Sequence, residues 1–578
     1  MNILGINSNV GASICLVQDG KVVFALQEER LTRKKNQGGL PIESLKYIET
    51  HYNDIIQSLD YIALCDEAGT VVQYEDLLKR YHQRFENTSV LPNTRPSILQ
   101  RIKSRLTKPT ASEDARIAEI KAILSSVDLK NTKFQHVRHH LCHAAAAYYG
   151  LAKAYERPYL VLTLDGGGDK ECATIYLGEK GRLRQVASTP SGNSIGNIYS
   201  LITYLLGLKP HEHEYKLMGL APYVPSQFGK ASHDVILKYL SLDEHNGLVF
   251  KRSTPEKTTW IGTKLRDDLR YMRFDSIASG LQQATETLVL QWVKNAIQST
   301  GIHDLLLSGG VFMNVKLNQR IAELDEVNSV NVFPSCGDES NAFGAAFYTY
   351  AQNTNDTISL PLLQSYATGP NPSFDLESAK SKYKNECRFE QLDNPNQTIA
   401  DLLAKGEIVA RCAGPMEFGA RALGNRSLLA DPKNPEVIDK INFMIKQRDF
   451  WMPFAPAILA EDVGEYLRIP NALRQGSPYM MFSFETTERH HDMLAAIHRA
   501  DKTARAQIVN RELYPDFHDI LTHFKALTGR SVVLNTSFNL HGHPIVTGTE
   551  EAIHVLLNSN LEYLIIEDTL ITKQQQQK

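Results

Sequence analysis

Cysteine is scarce and unpaired in this 578-residue chain: seven residues (Cys15, Cys65, Cys142, Cys172, Cys336, Cys387 and Cys412), scattered, odd in number and never spaced as CxxC. That pattern argues against a zinc ribbon or a disulfide framework and for a reducing cytosol. Long apolar runs are missing too, none approaching the roughly 18 residues of a membrane span. The start Met1-Asn2-Ile3-Leu4-Gly5 lacks the charged opening and apolar core of a signal peptide. Charge of one sign is absent: the net charge is -3, so neither nucleic acid nor an anionic membrane is an expected partner. No Walker lysine loop and no GxGxxG stretch occurs, which removes P-loop and dinucleotide-binding readings. What remains is a cytoplasmic globular protein, 42% hydrophobic and 22% charged, long enough for two or three domains.

Along the chain the texture changes three times. Ile3 to Ile6, then Ala12 to Val17, a turn at Gln18-Asp19-Gly20 and Val22 to Leu26 read as a β-hairpin, since Asp-Gly between apolar runs is a strong turn signal. Residues about 70 to 130 are polar with interspersed charges and read as a helical insertion. A second hairpin is expected around Asp165, from Tyr159 to Leu164 and from Ala173 to Leu177. A helix over Leu281 to Ile297 and a strand at Leu305 to Leu307 lead into Ser308-Gly309-Gly310. Thr354 to Asp375 is rich in Asn, Pro and Ser and reads as a linker. Beyond it come short strands at Glu407 to Arg411, Val532 to Leu534 and Leu561 to Ile566. The end, Gln574 to Gln577, is low-complexity. Domains are therefore set at 1–355, a linker at 356–378, and 379–578.

Two distant clusters suggest a metal site. His139 and His143 are four apart in His139-His140-Leu141-Cys142-His143 and would project from one helix face. Asp165 opens Asp165-Gly166-Gly167-Gly168-Asp169, and Asp338 follows Gly337. A nitrogen and oxygen set without thiolate suits iron, manganese or zinc. The bland reading is a helix cap with satisfied core histidines. Hairpin turns and the strand-end Ser308-Gly309-Gly310 fit an actin-like duplicated α/β fold, in which glycine-rich backbone N–H groups approach phosphates. In the last third, Arg421 and Arg426 stand among glycines, Lys446 and Arg448 follow, then Arg505, and Asn535-Thr536-Ser537-Phe538-Asn539. Guanidinium forks and hydroxyls in such segments suit a polyphosphate or an acyl phosphate. For any single arginine a structural ion pair is the alternative.

These motifs resemble the NodU/CmcH family of carbamoyltransferases. The resemblance rests on Gln27-Glu28-Glu29-Arg30 with Thr32 to Lys35, His139 to His143, Asp165-Gly166-Gly167, Glu214 to Tyr223, Ser308-Gly309-Gly310-Val311, Gly337-Asp338, Met416 to Ser427, and Asn535 to Asn539 with Pro544-Ile545-Val546. It implies an N-terminal actin-like domain, like the one that transfers threonylcarbamoyl to tRNA, joined to a C-terminal YrdC-like α/β domain. It also implies two steps. Carbamoyl phosphate and ATP with Mg2+ would give carbamoyl-adenylate and pyrophosphate at Arg421, Lys446, Arg448, Arg505, Asn535 and Ser537. The carbamoyl-adenylate would then bind at Asp165, Gly166, Gly167, Ser308, Gly309 and Gly310, beside iron(II) or another divalent ion held by His139, His143, Asp165 and Asp338. A hydroxyl or amine of a small molecule is the implied acceptor, and a homodimer is among the assemblies allowed.

The sequence departs from the family twice. Val10-Gly11 stands where members carry His-Asp, the His serving as base, and Met452 stands where members carry an Arg before Pro453-Phe454-Ala455-Pro456. His211 and His213, flanking Glu212 just before Glu214-Tyr215-Lys216, are the candidate replacement bases, because a His beside carboxylates keeps its basicity near neutral pH. Hydrogenase-maturation carbamoyltransferases share both modules but carry CxxC fingers, which this chain lacks. A non-catalytic nucleotide-binding protein on the same fold is the reading from another class.

Overall fold

The computed structural model describes residues 1–65, 74–86, 113–154, 156–354, 362–371, 376–473 and 476–574. Alternating apolar residues in the first segment make a sheet around β1 (Asn2–Asn7). The strands β2 (Ser13–Gln18) and β3 (Lys21–Gln27) extend it antiparallel on one side, and β4 (Tyr61–Cys65) and β5 (Lys133–Val137) extend it in parallel on the other, in the order β3-β2-β1-β4-β5. The expected hairpin turn is there, with Asp19 at φ 49° and Gly20 at φ 78°.

The same plan then repeats. β6 (Tyr159–Gly168), β7 (Glu171–Glu179) and β8 (Arg182–Pro190) form an antiparallel meander. After a small hairpin of β9 (Leu240–Leu242) and β10 (Phe250–Arg252), β11 (Asp304–Ser308) and β12 (Ser329–Val332) join in parallel, in the order β12-β11-β6-β7-β8. Two five-stranded sheets of one topology are the duplicated, actin-like arrangement. Of the helical insertion expected over about 70–130, the helices Tyr74–Glu86 and Glu113–Ile123 are described, and the rest of it lies outside the described residues.

The two repeats exchange helices. His139–Leu151 follows the first sheet but packs on β6 and β11, and Asn341–Asn353 follows the second but packs on β1, β2 and β4. They cross each other between the sheets, buried to the last turn. Small side chains make this crossing close: Ala144 to Ala147 are fully buried, and a Cβ on Gly344 would lie 1.8 Å from the Cys142 carbonyl oxygen.

The third sheet belongs to the C-terminal part of the chain, and its residues Ala455, Ile458 and Val532 share a core cluster with the N-terminal part. β13 (Cys387–Gln391), β14 (Val409–Cys412), β15 (Arg426–Ala430), β16 (Ala455–Leu459), β19 (Gln507–Val509), β20 (Val532–Ser537), β21 (Tyr563–Ile566) and β22 (Thr569–Lys573) run in the order β13-β22-β21-β14-β15-β20-β16-β19. The pair β17 (Leu467–Arg468) and β18 (Glu485–Thr486) lies outside it. The stretch read as a linker is seated over its described residues 362–371: Leu362 and Tyr366 are buried, and the Ala25 N–H donates to the Thr368 carbonyl at 3.2 Å. Among the described residues, no helix is long and apolar enough to cross a membrane.

Gly344→Ala forces the two central helices apart. Overpacking of this kind costs about 1–3 kcal/mol, so the melting temperature should fall by several degrees in a thermal unfolding scan. An unchanged melting temperature would show that the crossing relaxes freely.

Candidate active site

The helix His139–Leu151 begins with two imidazoles one turn apart, both buried. Asp165 reaches them from β6, and Asp338 from the loop that leads into the helix Asn341–Asn353. One ligand atom from each of the four lies within 4.8 Å of the others. His139 Nε2 is 3.2 Å from Asp165 Oδ2 and 3.5 Å from Asp338 Oδ1; for His143 Nε2 these distances are 3.7 and 3.6 Å, and the two Nε2 atoms are 3.2 Å apart. An ion with bonds of about 2.1 Å sets tetrahedral donors about 3.4 Å apart, so the spacing fits one divalent cation.

The surroundings aim the imidazoles. His143 Nδ1 lies 3.3 Å from Ser308 Oγ, and His139 Nδ1 lies 3.4 Å from Asn341 Nδ2. Ligation through Nε2 requires the proton on Nδ1, so Asn341 is expected to turn Oδ1, which has no hydrogen-bond partner, toward that nitrogen. Gly168 has no room for a side chain: a Cβ there would lie 2.2 Å from the His139 ring. Asp169 accepts from the His139 backbone N–H at 2.6 Å and closes the helix start. The glycine loops surround Asp165. The Gly310 N–H donates to its Oδ1 at 3.3 Å, Ser194 Oγ donates to its carbonyl at 3.0 Å, and Asn197 Nδ2 donates to the Gly166 carbonyl at 2.9 Å. Gly309 adopts φ 106°, pressed on Leu164.

Without an ion the four groups are a tight charge network. Burial opposes ionisation of His139, His143 and Asp165. Even so, Asp338 and Asp165 raise the His139 imidazolium well above its ordinary value, hydrogen bonds from Asp165 and Asp338 raise that of His143, and the two imidazoles hold the Asp165 carboxyl well below the carboxylate range.

Glu339, next to Asp338, carries no signal in the local sequence pattern. Burial pushes its carboxyl up to about 7, against the hydrogen bond from Ser335 and with the help of Asp338. Ser13 Oγ donates to its carbonyl at 2.8 Å, and Gly11, at φ 69°, faces its side chain. The first hairpin loop therefore does reach the loop that carries Asp338, with Val10 half-buried in it and no proton acceptor on that side chain.

The two candidate bases stand in different surroundings. Burial first, then Lys216, lower the His213 imidazole to about 4, and Glu212 only partly offsets them. His213 is thus a weak base, contrary to the expectation from its acidic neighbours. His211 Nε2 is 3.1 Å from Tyr81 OH, and Glu214 accepts from the His211 backbone N–H at 2.6 Å.

In the C-terminal unit the predicted cations converge. Burial lowers Arg421, Arg448, Arg505 and Lys446 below their usual values. Arg448 adds to the effect at Lys446 and Arg421 at Arg448, while both arginines act on Arg505. Lys446 Nζ donates to Ser537 Oγ at 3.1 Å and Asn539 Oδ1 at 2.7 Å, and Arg448 donates to Thr536 Oγ1 at 3.0 Å. Among the described residues no carboxylate pairs with any of the four, and the guanidinium groups of Arg421 and Arg505 have no hydrogen-bond partner. Clustered cations in that state call for an anionic ligand. Asn535 Nδ2 is occupied internally, donating to the Ala422 carbonyl at 3.0 Å and to Gln507 Oε1 at 2.8 Å, while its buried Oδ1 has no hydrogen-bond partner among the described residues. Arg426, fully buried, is tied to backbone carbonyls. Met452 packs against Gly219 and offers no charge. Tyr215 from the N-terminal half acts electrostatically on Arg421, Arg448 and Arg505, and Arg421 in turn feels Cys336 and Glu339 of the loop that carries Asp338. The two sites are neighbours, with Arg421 between them.

Comparison with known proteins agrees with this geometry. Family profiles described as Carbamoyltransferase N-terminus and Carbamoyltransferase C-terminus match residues 2–347 and 400–573. Nodulation protein NolNO of Sinorhizobium fredii is 29% identical over 97% of this chain and 79% of its own length. Protein MJ1051 of Methanocaldococcus jannaschii is 31% identical over 99% of both chains. The 3'-hydroxymethylcephem-O-carbamoyltransferase of Amycolatopsis lactamdurans is 30% identical over 46% of this chain and 48% of its own. Among solved structures, full-length HypF in the phosphate- and nucleotide-bound form is a distant likeness: 14% identity, 62% of this chain, 47% of that one, TM-score 0.33.

Elemental analysis of anaerobically purified protein should find close to one divalent ion per chain, with a sharp fall in His139→Ala; full occupancy in that variant would contradict the site. Because the metal-free histidines hold protons above their ordinary value, metal must displace those protons. Affinity is therefore full above the raised values and is lost as pH falls through them, measurable by chelator competition across a pH series.

Proposed function

This chain belongs to the carbamoyltransferase family, and on that premise we propose that it makes carbamoyl-adenylate at the cation cluster and carbamoylates a small-molecule acceptor at the His/Asp centre. The observation that carries this reading is the pair of guanidinium groups, Arg421 and Arg505, left without partners beside the metal-bearing loop. In the first step carbamoyl phosphate and ATP, entering with Mg2+, give carbamoyl-adenylate, with phosphate and pyrophosphate leaving and one water consumed. Arg421, Arg448 and Arg505 would bind the phosphoryl oxygens through charge-assisted hydrogen bonds. Ser537 and Asn539 would hold Lys446 in place for the same task.

In the second step the acceptor attacks the carbamoyl carbon, the bond to the adenylate oxygen breaks, and AMP leaves with that electron pair. His139, His143, Asp165 and Asp338 would hold the divalent ion, whose chemistry when bound is to polarise a carbonyl as a Lewis acid. Iron(II) is the family expectation, and two nitrogens with two oxygens suit it. The backbone N–H of Gly310 and the loop Gly166-Gly167 border the place where the adenylate would lie. With Val10 where a histidine would stand, and with His213 lowered to about 4, a hydroxyl acceptor would lack a base from these two positions. An amine, nucleophilic once neutral, does not need one.

Arg421→Ala should cut pyrophosphate release by about 10²-fold, the loss of one strong anion contact, whereas His143→Ala should keep that release and block carbamate formation. Equal loss of both steps in both variants would mean a single shared site. Val10→His should raise carbamoylation of alcohols, by roughly 10- to 100-fold at the lower end of general-base assistance, and leave amines little changed. His213→Ala should alter neither, and a large loss in that variant would restore His213 as the base.

A further inference from the structure

Arg30, at the end of the Gln27-Glu28-Glu29-Arg30 stretch, is 2% exposed, one of the largest buried side chains. Its Nη2 donates to Gln27 Oε1 at 3.2 Å and to the Gly419 carbonyl, and its Nη1 faces the Glu29 carboxylate at 3.4 Å. Gln27 Oε1 also accepts from the Gly419 N–H at 3.1 Å. Both polar groups of Gly419 are therefore held by the N-terminal half.

Gly419 has φ 88°, and a Cβ there would lie 2.5 Å from Ser335 Cβ, so this turn is pressed onto the metal-bearing loop. Two residues on stands Arg421. The far side of the same turn is held inside the C-terminal unit. The Glu417 carboxylate accepts from the N–H groups of Leu423 at 2.8 Å, Asn425 at 2.7 Å and Arg426 at 3.2 Å. Asn535 Nδ2 donates to the Ala422 carbonyl. Arg421 thus projects from a short arc whose two ends are fixed by different halves of the molecule.

Resting on the reading of Arg421 as an anion contact, we infer that Gln27, braced by Arg30, is a positioning residue for Arg421. The N-terminal half sets the arginine of the C-terminal anion site, and that site is complete only when the halves are docked. A phosphate-bearing substrate then meets its full set of cations only beside the metal-bearing loop, where the product of the first step is used.

Inorganic pyrophosphate is the probe, titrated calorimetrically into the full-length protein. Gln27→Met removes the acceptor of two hydrogen bonds and should weaken binding about ten-fold. Gln27→Glu keeps an oxygen in that place and should bind as the wild type does. In an Arg421→Ala background, where Arg448, Arg505 and Lys446 keep binding measurable, Gln27→Met should have no further effect. Retained divalent metal reports that each variant is folded. Should Gln27→Met lose the metal, Gln27→Asn, which withdraws the amide by one methylene, takes its place in the cycle. No weakening, equal weakening in both backgrounds, or a Glu variant as weak as the Met variant would each overturn the positioning role. Arg421→Ala binding as tightly as wild type would instead sink the anion reading beneath it.

Discussion

Where the helix Asn341–Asn353 crosses His139–Leu151, a glycine meets a backbone carbonyl, and a Cβ on Gly344 would lie 1.8 Å from the Cys142 oxygen. That crossing brings together the first turns of two helices that belong to different repeats. His139 and His143 sit at one start, and Asp338 and Asn341 at the other. Helix N-termini favour negative charge, and the carboxylates of Asp165, Asp338 and Glu339 gather between them. A wider crossing would separate the imidazoles from Asp338, and no change of rotamer would restore donors spaced for one ion. The exchange of helices between repeats is thus what turns a duplicated sheet into a four-ligand centre.

The C-terminal unit presents the opposite electrostatics. Among the described residues, four cations lie together with no carboxylate paired to them, a state that is stable only if water or a ligand anion offsets their repulsion. The two regions of opposite sign are set against each other, with Tyr215 and Arg421 reaching across. A reaction that begins with phosphates and ends at a carbonyl uses both kinds of site in turn. Such an arrangement also shortens the path a labile carbamoyl-adenylate would travel between them.

Much of the His/Asp cluster was legible because its signals are local. The His139–His143 spacing specifies one helix face whatever the fold, and Asp165 and Asp338 stand in polar turns that end apolar runs. The paired hairpins announced the repeat, since Asp-Gly turns are set by backbone geometry. What stayed hidden depends on groups far apart in sequence. His213 reads as a neutral-pH base between Glu212 and Glu214, but Glu214 is turned to the His211 N–H and Ser200, while burial and Lys216 lower the imidazole. Gln27 and Arg30 meet Gly419 only through the docking of two halves. Glu339 is an ordinary surface glutamate to any local pattern, and only its burial marks it. The apparent linker likewise gains its order from β3, not from its own composition.

The claim that carbamoyl-adenylate forms on this chain is tested most directly by isotope exchange in the absence of any acceptor. Purified protein is incubated with ATP, carbamoyl phosphate, Mg2+ and labelled pyrophosphate, and label in ATP is followed. The account predicts exchange that depends on carbamoyl phosphate, because the adenylate forms reversibly and pyrophosphate returns to it. Exchange that is absent, or that proceeds equally without carbamoyl phosphate, would contradict it.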